Sequence, residues 1–370
     1  LSTLPAVWIL FEWLRGWLLT GFPWLLLGYG QIDLPLGGYA PVFGVFGVGL
    51  LLTLSAGALN LWRRPVVLVP VLAIWAGGVA LPHVEWTRPA GPPIRVSLLQ
   101  GSIPQAQKWL ASMRGPTLDL YLGLTQQVAD SRIVIWPETA VPAFASDVEA
   151  TLLAPLHERM RRQGRDLLLG IVDGDRDGDY YNAMLSVGIS GRDHYHKRHL
   201  VPFGEYLPLD RRTRPVLDFL EIPMSDFSPG ADVPPLITLA GQPVGIDICY
   251  EDAFPVEIMR ALPEATLLIN ASNDAWFGDS LAPHQHLEIA RMRALETGRY
   301  LLRATNTGIS AVIDPRGRLR ATSPQFEQAV LTDDVVPRTG ATPFVRWGNG
   351  AVLALALLML LPGIVQRSRA

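Results

Sequence analysis

Cysteine occurs once in the 370 residues, at Cys249. A lone thiol closes no disulfide within its own chain, so it is either packing or a reactive group. Lysine is nearly as scarce: Lys108 and Lys197 stand against a background of arginines. In such a chain a lysine inside a histidine- and glutamate-rich stretch is a poor candidate for surface filler. A net charge of −3 excludes the global positive field that draws nucleic acid. Internal repeats and low-complexity tracts are absent. Charge is also missing from long runs near both ends, although hydrophobic residues reach 49% overall and mean hydropathy is +0.23. Apolar excess gathered at the ends predicts membrane segments flanking a water-soluble middle.

Residues 4–19 are apolar except for Glu12 and Arg15, which are spaced for an intrahelical ion pair. Residues 20–39 mix glycine, proline and aromatics (Phe22, Trp24, Tyr29, Tyr39), a composition suited to an interfacial loop. Residues 42–62 carry no charge over the length that spans a bilayer. After the Arg63-Arg64-Pro65 turn a second apolar run covers 66–81, and a third covers 350–365, followed by Arg367 and Arg369. Arginines in short loops stay cytoplasmic, so both clusters place the intervening segment on the periplasmic side. The expected organisation is transmembrane helices and interfacial loop over 1–88, a periplasmic catalytic domain over 89–338, and a C-terminal transmembrane helix with cytoplasmic tail over 346–370. The chain opens inside an apolar run at Leu1, so further helices before it are expected.

Between these ends short β-type runs alternate with helical ones. Strands are predicted over 95–100, 132–136, 166–172, 183–188, 243–249, 265–270, 301–305 and 310–313. Helices are predicted over 106–130, 147–163, 254–262 and 284–297. Alternation of this kind implies an α/β domain with strands buried on both faces. Site residues then belong at the C-terminal ends of strands.

Three such ends carry chemistry. The apolar run Val244, Ile246, Ile248 delivers Cys249, with Glu251 and Asp252 directly after. The run 133–136 ends in Trp-Pro-Glu138, and residues 196–205 hold Lys197 and Glu205. A cysteine nucleophile needs a base, a stabilised oxyanion and an acyl substrate. Glu138 suits the base if burial behind Trp136 and Pro137 raises its pKa toward neutrality. Lys197 and the backbone N–H of Tyr250 suit the oxyanion. His194, His196 and His199 compete for the base role or form a metal cluster, although their spacing lacks a matching carboxylate set. Taken singly, each residue also has a plain reading: the cysteine as core, the glutamate as a helix cap, the lysine as surface.

Together, Trp-Pro-Glu138, the loop Lys197-x-His-Leu-Val-Pro-Phe-Gly-Glu205 and Cys249-Tyr-Glu resemble the nitrilase (carbon–nitrogen hydrolase) superfamily. Further matching stretches are Gln100-Gly-Ser-Ile-Pro-Gln105, Ser272-Asn-Asp-Ala-Trp-Phe-Gly-Asp279, Ala290-Arg-Met-Arg-Ala-Leu-Glu296 and Arg303-Ala-Thr-Asn-Thr-Gly-Ile309. With the flanking apolar helices, Glu12-Trp-Leu-Arg-Gly-Trp17 and Thr20-Gly-Phe-Pro-Trp24, the chain resembles the apolipoprotein N-acyltransferase family of Gram-negative-type bacteria. The resemblance implies a nitrilase-like αββα sandwich flanked by transmembrane helices, in the bacterial inner membrane. It implies ping-pong acyl transfer: Cys249 takes an acyl chain from a phospholipid, with phosphatidylethanolamine as the expected donor. The α-amino group of a diacylglyceryl-cysteine on an apolipoprotein then takes the chain from the thioester. On this reading Glu138 is the base and Lys197 the oxyanion stabiliser. Glu205 and Glu251 support them, Asn182 forms part of the site wall, and Trp109, Tyr250 and Trp276 border the lipid entrance. No metal or cofactor is required. Loops 201–208 and 277–283 are candidate lids. A membrane-tethered amidase passing the acyl group to water and a catalytically dead lipid-binding scaffold are the alternatives.

Overall fold

The computed structural model describes residues 3–174, 178–208, 226–232 and 236–367. Its strands, in chain order, begin with β1 (Arg88–Pro89), β2 (Ile94–Gln100), β3 (Ile133–Ile135), β4 (Val141–Phe144) and β5 (Asp166–Gly174). There follow β6 (Tyr180–Gly188), β7 (Gly191–His196), β8 (Ile237–Leu239), β9 (Gln242–Ile248) and β10 (Leu267–Ser272). The last are β11 (Leu301–Thr305), β12 (Ala311–Ile313), β13 (Leu319–Thr322), β14 (Ala329–Val335) and β15 (Arg338–Thr339). The main helices are α1 (Thr3–Arg15), α2 (Ala40–Leu59), α3 (Pro65–Ala80), α4 (Ala111–Gln127), α5 (Ala154–Arg162), α6 (Ala282–Thr297) and α7 (Gly350–Arg367).

Two mixed sheets form the middle of the chain. One runs β14-β2-β3-β5-β6-β7, with β4 attached to β5; the other runs β13-β12-β11-β10-β9-β8. Both follow one scheme. The centre is parallel (β2, β3, β5 in one sheet; β9, β10, β11 in the other) and the flanking strands are antiparallel. Period-two alternation explains how the layers stack. Val96, Leu98, Ile133, Ile135 and Leu168 point between the sheets, where they meet Ile246, Ile248, Ile269, Leu302 and Val312. Their neighbours Leu99, Val134, Leu167 and Leu169 point outward onto α4 and α5. Leu268, Leu301, Ala311 and Ile313 point outward from the second sheet onto α6. The order is therefore helix, sheet, sheet, helix.

The sheets differ from the expected uniformly buried strands. Edge strands β7 and β13 are half exposed, and residues 191–196, 319–322 and 329–335 were not predicted as strands at all. Their outward positions are polar (Arg192, Asp193, His194, Arg320, Asp333), so the apolar signal is missing although the backbone pairs. The helix expected over 106–130 is also interrupted. Trp109 and Leu110 leave helical geometry between a short turn at Gln105–Lys108 and α4.

The N-terminal helices pack on the outer face of α6, through Ile9, Tyr29, Val45 and Phe46 against Ile289, Met292 and Leu295. Within α2 the helix breaks at Gly44 (φ 64°), where a Cβ would lie 2.3 Å from the Phe344 ring. The break frees the Val45 N–H, which donates to Glu296 Oε1 at 2.6 Å. Among the described residues two helices are long and apolar enough to cross a membrane, Pro35–Leu59 and Val66–His83, with Gly350–Leu361 a shorter apolar helix. The expected Glu12–Arg15 ion pair does not form; Glu12 Oε1 instead accepts the Leu27 N–H at 3.0 Å. Arg369, one of the residues used for orientation, lies outside the described residues.

One glycine carries the turn that holds Glu138. A Cβ on Gly170 would sit 2.3 Å from the Thr139 nitrogen and 2.4 Å from the Pro137 oxygen. Gly170→Ala is expected to lower the unfolding free energy by about 1–3 kcal/mol, as overpacking of a filled core does. Chemical unfolding in detergent checks this, and unchanged stability would mean that the 137–139 turn yields freely.

Candidate active site

Each sheet sends one residue to a common cavity from the C-terminal end of a parallel strand. Glu138 follows β3, and Cys249 follows β9. Lys197 arrives after β7, whose pairing with β6 sets Ala183 opposite His196. Cys249 adopts φ 54°, the left-handed region that a side chain avoids unless its surroundings hold it, and Thr139 beside Glu138 has φ 48°. The cavity measures about 1160 Å³. Its wall combines Glu138, Asn182, Lys197, Glu205 and Cys249 with apolar residues of the N-terminal segment, among them Phe11, Leu14 and Phe22.

The polar groups form a connected chain. Lys197 Nζ donates to Glu205 Oε1 at 2.8 Å and lies 3.7 Å from Glu138 Oε1. Asn182 Nδ2 bridges the two carboxylates, donating to Glu138 Oε1 at 2.7 Å and Glu205 Oε1 at 3.0 Å. The other Glu205 oxygen accepts the Val201 N–H at 2.8 Å, which ties the 201–205 loop to the site. Burial pushes the Lys197 ammonium down, but Glu205 and Glu138 more than reverse this, so it stays charged with its pKa raised. Burial and the Glu138 charge push the Cys249 thiol up, against Lys197 and a Ser272 hydrogen bond. The raised value keeps the thiol in its protonated form.

Glu251 stands behind the site rather than in its cavity lining. It is wholly buried and makes no direct hydrogen bond to Lys197. Its carboxylate instead accepts four donors: the N–H groups of Ile248, Arg198 and His199, and the Tyr195 hydroxyl, at 2.7 to 3.0 Å. It thus binds the strand end before Cys249 to the loop after Lys197. Burial pushes its pKa up to about 7, opposed by Lys197 and the three backbone donors. Tyr250 turns its ring into the apolar contact with Phe22, Trp24 and Phe254, and its hydroxyl donates to the Gly21 oxygen at 3.2 Å. Trp109 and Trp276 line the cavity while 55% and 76% exposed, so they stand at its mouth rather than in a core.

None of His194, His196 and His199 lines the cavity. His199 is stacked on Phe254 with centroids 3.6 Å apart, and burial beside Lys197 pulls its pKa down to about 4. His194 and His196 stack on each other outside the cavity lining, and His196 Nε2 contacts Asp173 Oδ2 at 2.7 Å. Donor atoms of Asp173, His194 and His196 lie within 4.8 Å of one another. The metal grouping proposed from sequence is thereby split, with His199 excluded and Asp173 added.

Two features escaped the sequence reading. Lys108 is 4% exposed, lines the cavity and donates from Nζ to the Glu138 backbone oxygen at 3.1 Å. Its rarity was the one signal available. Behind Cys249 lies a buried charge cluster. His286 Nδ1 faces Asp274 Oδ1 at 2.9 Å, and its Nε2 faces Asp252 Oδ1 at 2.9 Å and the Cys249 oxygen at 3.2 Å. Arg303 bridges the same two aspartates at 3.3 and 2.9 Å. Since both ring nitrogens of His286 face acceptors, the imidazolium satisfies them best. Burial and Arg303 pull its pKa down, but Asp252 and Asp274 hold it at about 9.

Comparisons with known proteins agree on one family. Residues 95–344 match the carbon–nitrogen hydrolase model, and residues 1–58 match the model of the apolipoprotein N-acyltransferase N-terminal domain. The chain is 50% identical over 363 residues to an apolipoprotein N-acyltransferase of Methylococcus capsulatus, covering 96% of this chain and 72% of that protein. It is 48% identical to one of Nitrosomonas europaea, covering 97% and 73%, and 42% identical to one of Vibrio cholerae, covering 94% and 72%. A CN-hydrolase superfamily protein of Xanthomonas campestris shares the fold with TM-score 0.50 at 21% identity, over 71% of this chain and 92% of that one. An amidase from Nesterenkonia does so with TM-score 0.50 at 18% identity, over 71% and 96%.

The His286 charge carries a pH signature. Its folded value of about 9 lies above the 6.5 of an exposed histidine. The charge therefore stabilises the fold fully below about pH 6.5, and that contribution is lost as pH rises through about 9. Unfolding free energies measured on either side of this window should fall with pH in the wild type, with that slope absent in His286→Gln. An equal slope in both would remove His286 as the titrating group.

Proposed function

The chain belongs to the apolipoprotein N-acyltransferase family, and from that premise we infer that Cys249 is the nucleophile, Glu138 its base and Lys197 the stabiliser of the oxyanion. The enzyme transfers an acyl chain from a phospholipid, through a cysteine thioester, to the α-amino group of the N-terminal diacylglyceryl-cysteine of an apolipoprotein. The observation that carries the residue assignment is the convergence of a protonated thiol, a carboxylate and a buried ammonium on one cavity with a lipid-sized apolar wall.

In the first half-reaction Glu138 takes the Cys249 proton as sulfur attacks the ester carbonyl. The oxyanion develops against Lys197 and the Tyr250 N–H, groups fixed before the charge appears. Collapse breaks the carbon–oxygen bond, and Glu138 returns its proton to the departing alcohol, leaving a lysophospholipid and the thioester. In the second half the acceptor amine attacks, Glu138 takes its proton, and the thiolate leaves and is reprotonated. Glu205 and Asn182 hold Lys197 and Glu138 at their distances throughout.

It is a membrane enzyme, and its surface accounts for how it meets its substrate. Leu4, Phe11, Leu19, Val66, Val69 and Leu72 are 62% or more exposed in α1, α3 and the turn after α1, an arrangement stable against lipid rather than water. Lifting a diacyl lipid out of the bilayer costs ~0.8 kcal/mol for each exposed CH₂, so the site comes to the lipid. The finer reading is a multi-pass protein whose catalytic part faces the periplasm, with phosphatidylethanolamine as donor. The arginine clusters and the apolar helices support that reading.

Incubation with phospholipid vesicles and no acceptor is expected to add one acyl chain to Cys249, detected by intact-protein mass spectrometry and released by neutral hydroxylamine. Cys249→Ala abolishes the adduct; transfer retained in this variant would overturn the nucleophile. Glu138→Gln slows adduct formation by about 10²–10⁴-fold, the range for loss of a general base. Released fatty acid in place of adduct would favour hydrolysis.

A further inference from the structure

Two buried ammonium groups line the cavity, and they are neutralised differently. Lys197 has Glu205 at 2.8 Å and Glu138 at 3.7 Å. Lys108, equally withdrawn from water, makes its one hydrogen bond among the described residues to a neutral acceptor, the Glu138 backbone oxygen. Glu205 is committed through both oxygens to Lys197, Asn182 and Val201, and Glu138 Oε1 to Asn182 with Lys197 3.7 Å away. The Glu138 charge is felt at Lys108, but among the described residues no carboxylate oxygen hydrogen-bonds that ammonium. An ammonium has three donors, so two remain for whatever fills the cavity. A buried cation without a paired, hydrogen-bonded anion is costly. Its burial accordingly draws the Lys108 pKa down to about 8 despite Glu138 and Cys249.

The ligand can bring the missing anion. A phospholipid offers neutral esters, apolar chains and one obligatory charge next to the glycerol, the phosphodiester. Arg15 also lines the cavity and forms no ion pair with Glu12, so it is the competing cation that the test must separate from Lys108. We propose that Lys108 forms the phosphodiester subsite of the acyl donor, its free donors taking the phosphate oxygens while the neighbouring ester reaches Cys249. This rests on the phospholipid-donor reading above. It makes donor choice depend on the phosphate that all glycerophospholipids share rather than on the headgroup amine.

The test separates binding from chemistry. In a Cys249→Ala background, full-length protein in detergent micelles is titrated with brominated-chain phosphatidylethanolamine and, separately, with diacylglycerol carrying the same chains. Quenching of Trp24, Trp109 and Trp276, which line the cavity, reports both affinities. Lys108→Met should weaken the phospholipid by about tenfold while diacylglycerol changes by less than about twofold, as expected for loss of a charged hydrogen bond. Lys108→Arg should restore phospholipid affinity. Equal losses for both lipids, or none, would overturn the subsite, as would a phospholipid-specific loss that follows Arg15→Gln instead. Failure of the acyl-transfer reading shows separately, as absence of the Cys249 adduct in otherwise wild-type protein.

Discussion

A carboxylate taken out of water must find donors, and Glu251 finds four from two separate stretches of chain, 195–199 and Ile248. That requirement joins the end of β9 to the loop after β7, so Cys249 and Lys197 inherit a fixed relation from a residue that touches neither substrate nor thiol. The polar chain of Glu138, Asn182, Glu205 and Lys197 then has a rigid frame to close upon. Behind the thiol, the ions of His286, Arg303, Asp252 and Asp274 grip the backbone on which Cys249 turns. Removing one member of such a network strands another charge in a dry interior.

The cavity is a composite. Its reactive groups come from the two sheets, while much of its apolar wall comes from the end of α1 and the residues after it. Phe22 and Trp24 pack on Tyr250, and Trp24 also lies against His286 with centroids 5.3 Å apart. The residue next to Cys249 and the cluster that grips it therefore both rest on the segment after α1. On the proposed mechanism, that contact is what keeps water from the thioester and so favours an amine acceptor over hydrolysis.

Much of this was legible before any coordinates. Glu138 and Cys249 each end an apolar run, and a charged or nucleophilic residue at a buried strand end is a strong local signal. What sequence could not resolve was partnership across distance. Glu205 and Glu251 looked alike as neighbouring acids, yet one faces the ammonium and the other is a structural acceptor within the core. His286 lies 37 residues from the Cys249 oxygen it meets, beyond the reach of any spacing rule. Glu12 and Arg15 had the spacing for a pair and do not form one; Glu12 Oε1 accepts the Leu27 N–H, a partner fifteen residues away that no helical spacing rule names. Strand β7 was hidden by the run Arg192, Asp193, His194, which is exposed on both faces of the edge and leaves Tyr195 as its one buried apolar residue.

The short pair β1 and β15 sets Arg88 beside Thr339 and Pro89 beside Arg338, and the Arg338 guanidinium donates to Thr87 as well. Chain entry to and exit from the catalytic part are thus clasped about one strand spacing apart, ~4.8 Å. A unit whose ends meet at a single neck can be inserted between two helices without prising them apart. Mechanically, tension between the flanking helices loads the clasp rather than the sheets above it. The neck is therefore the natural joint at which the catalytic part can be exchanged as a unit by engineering.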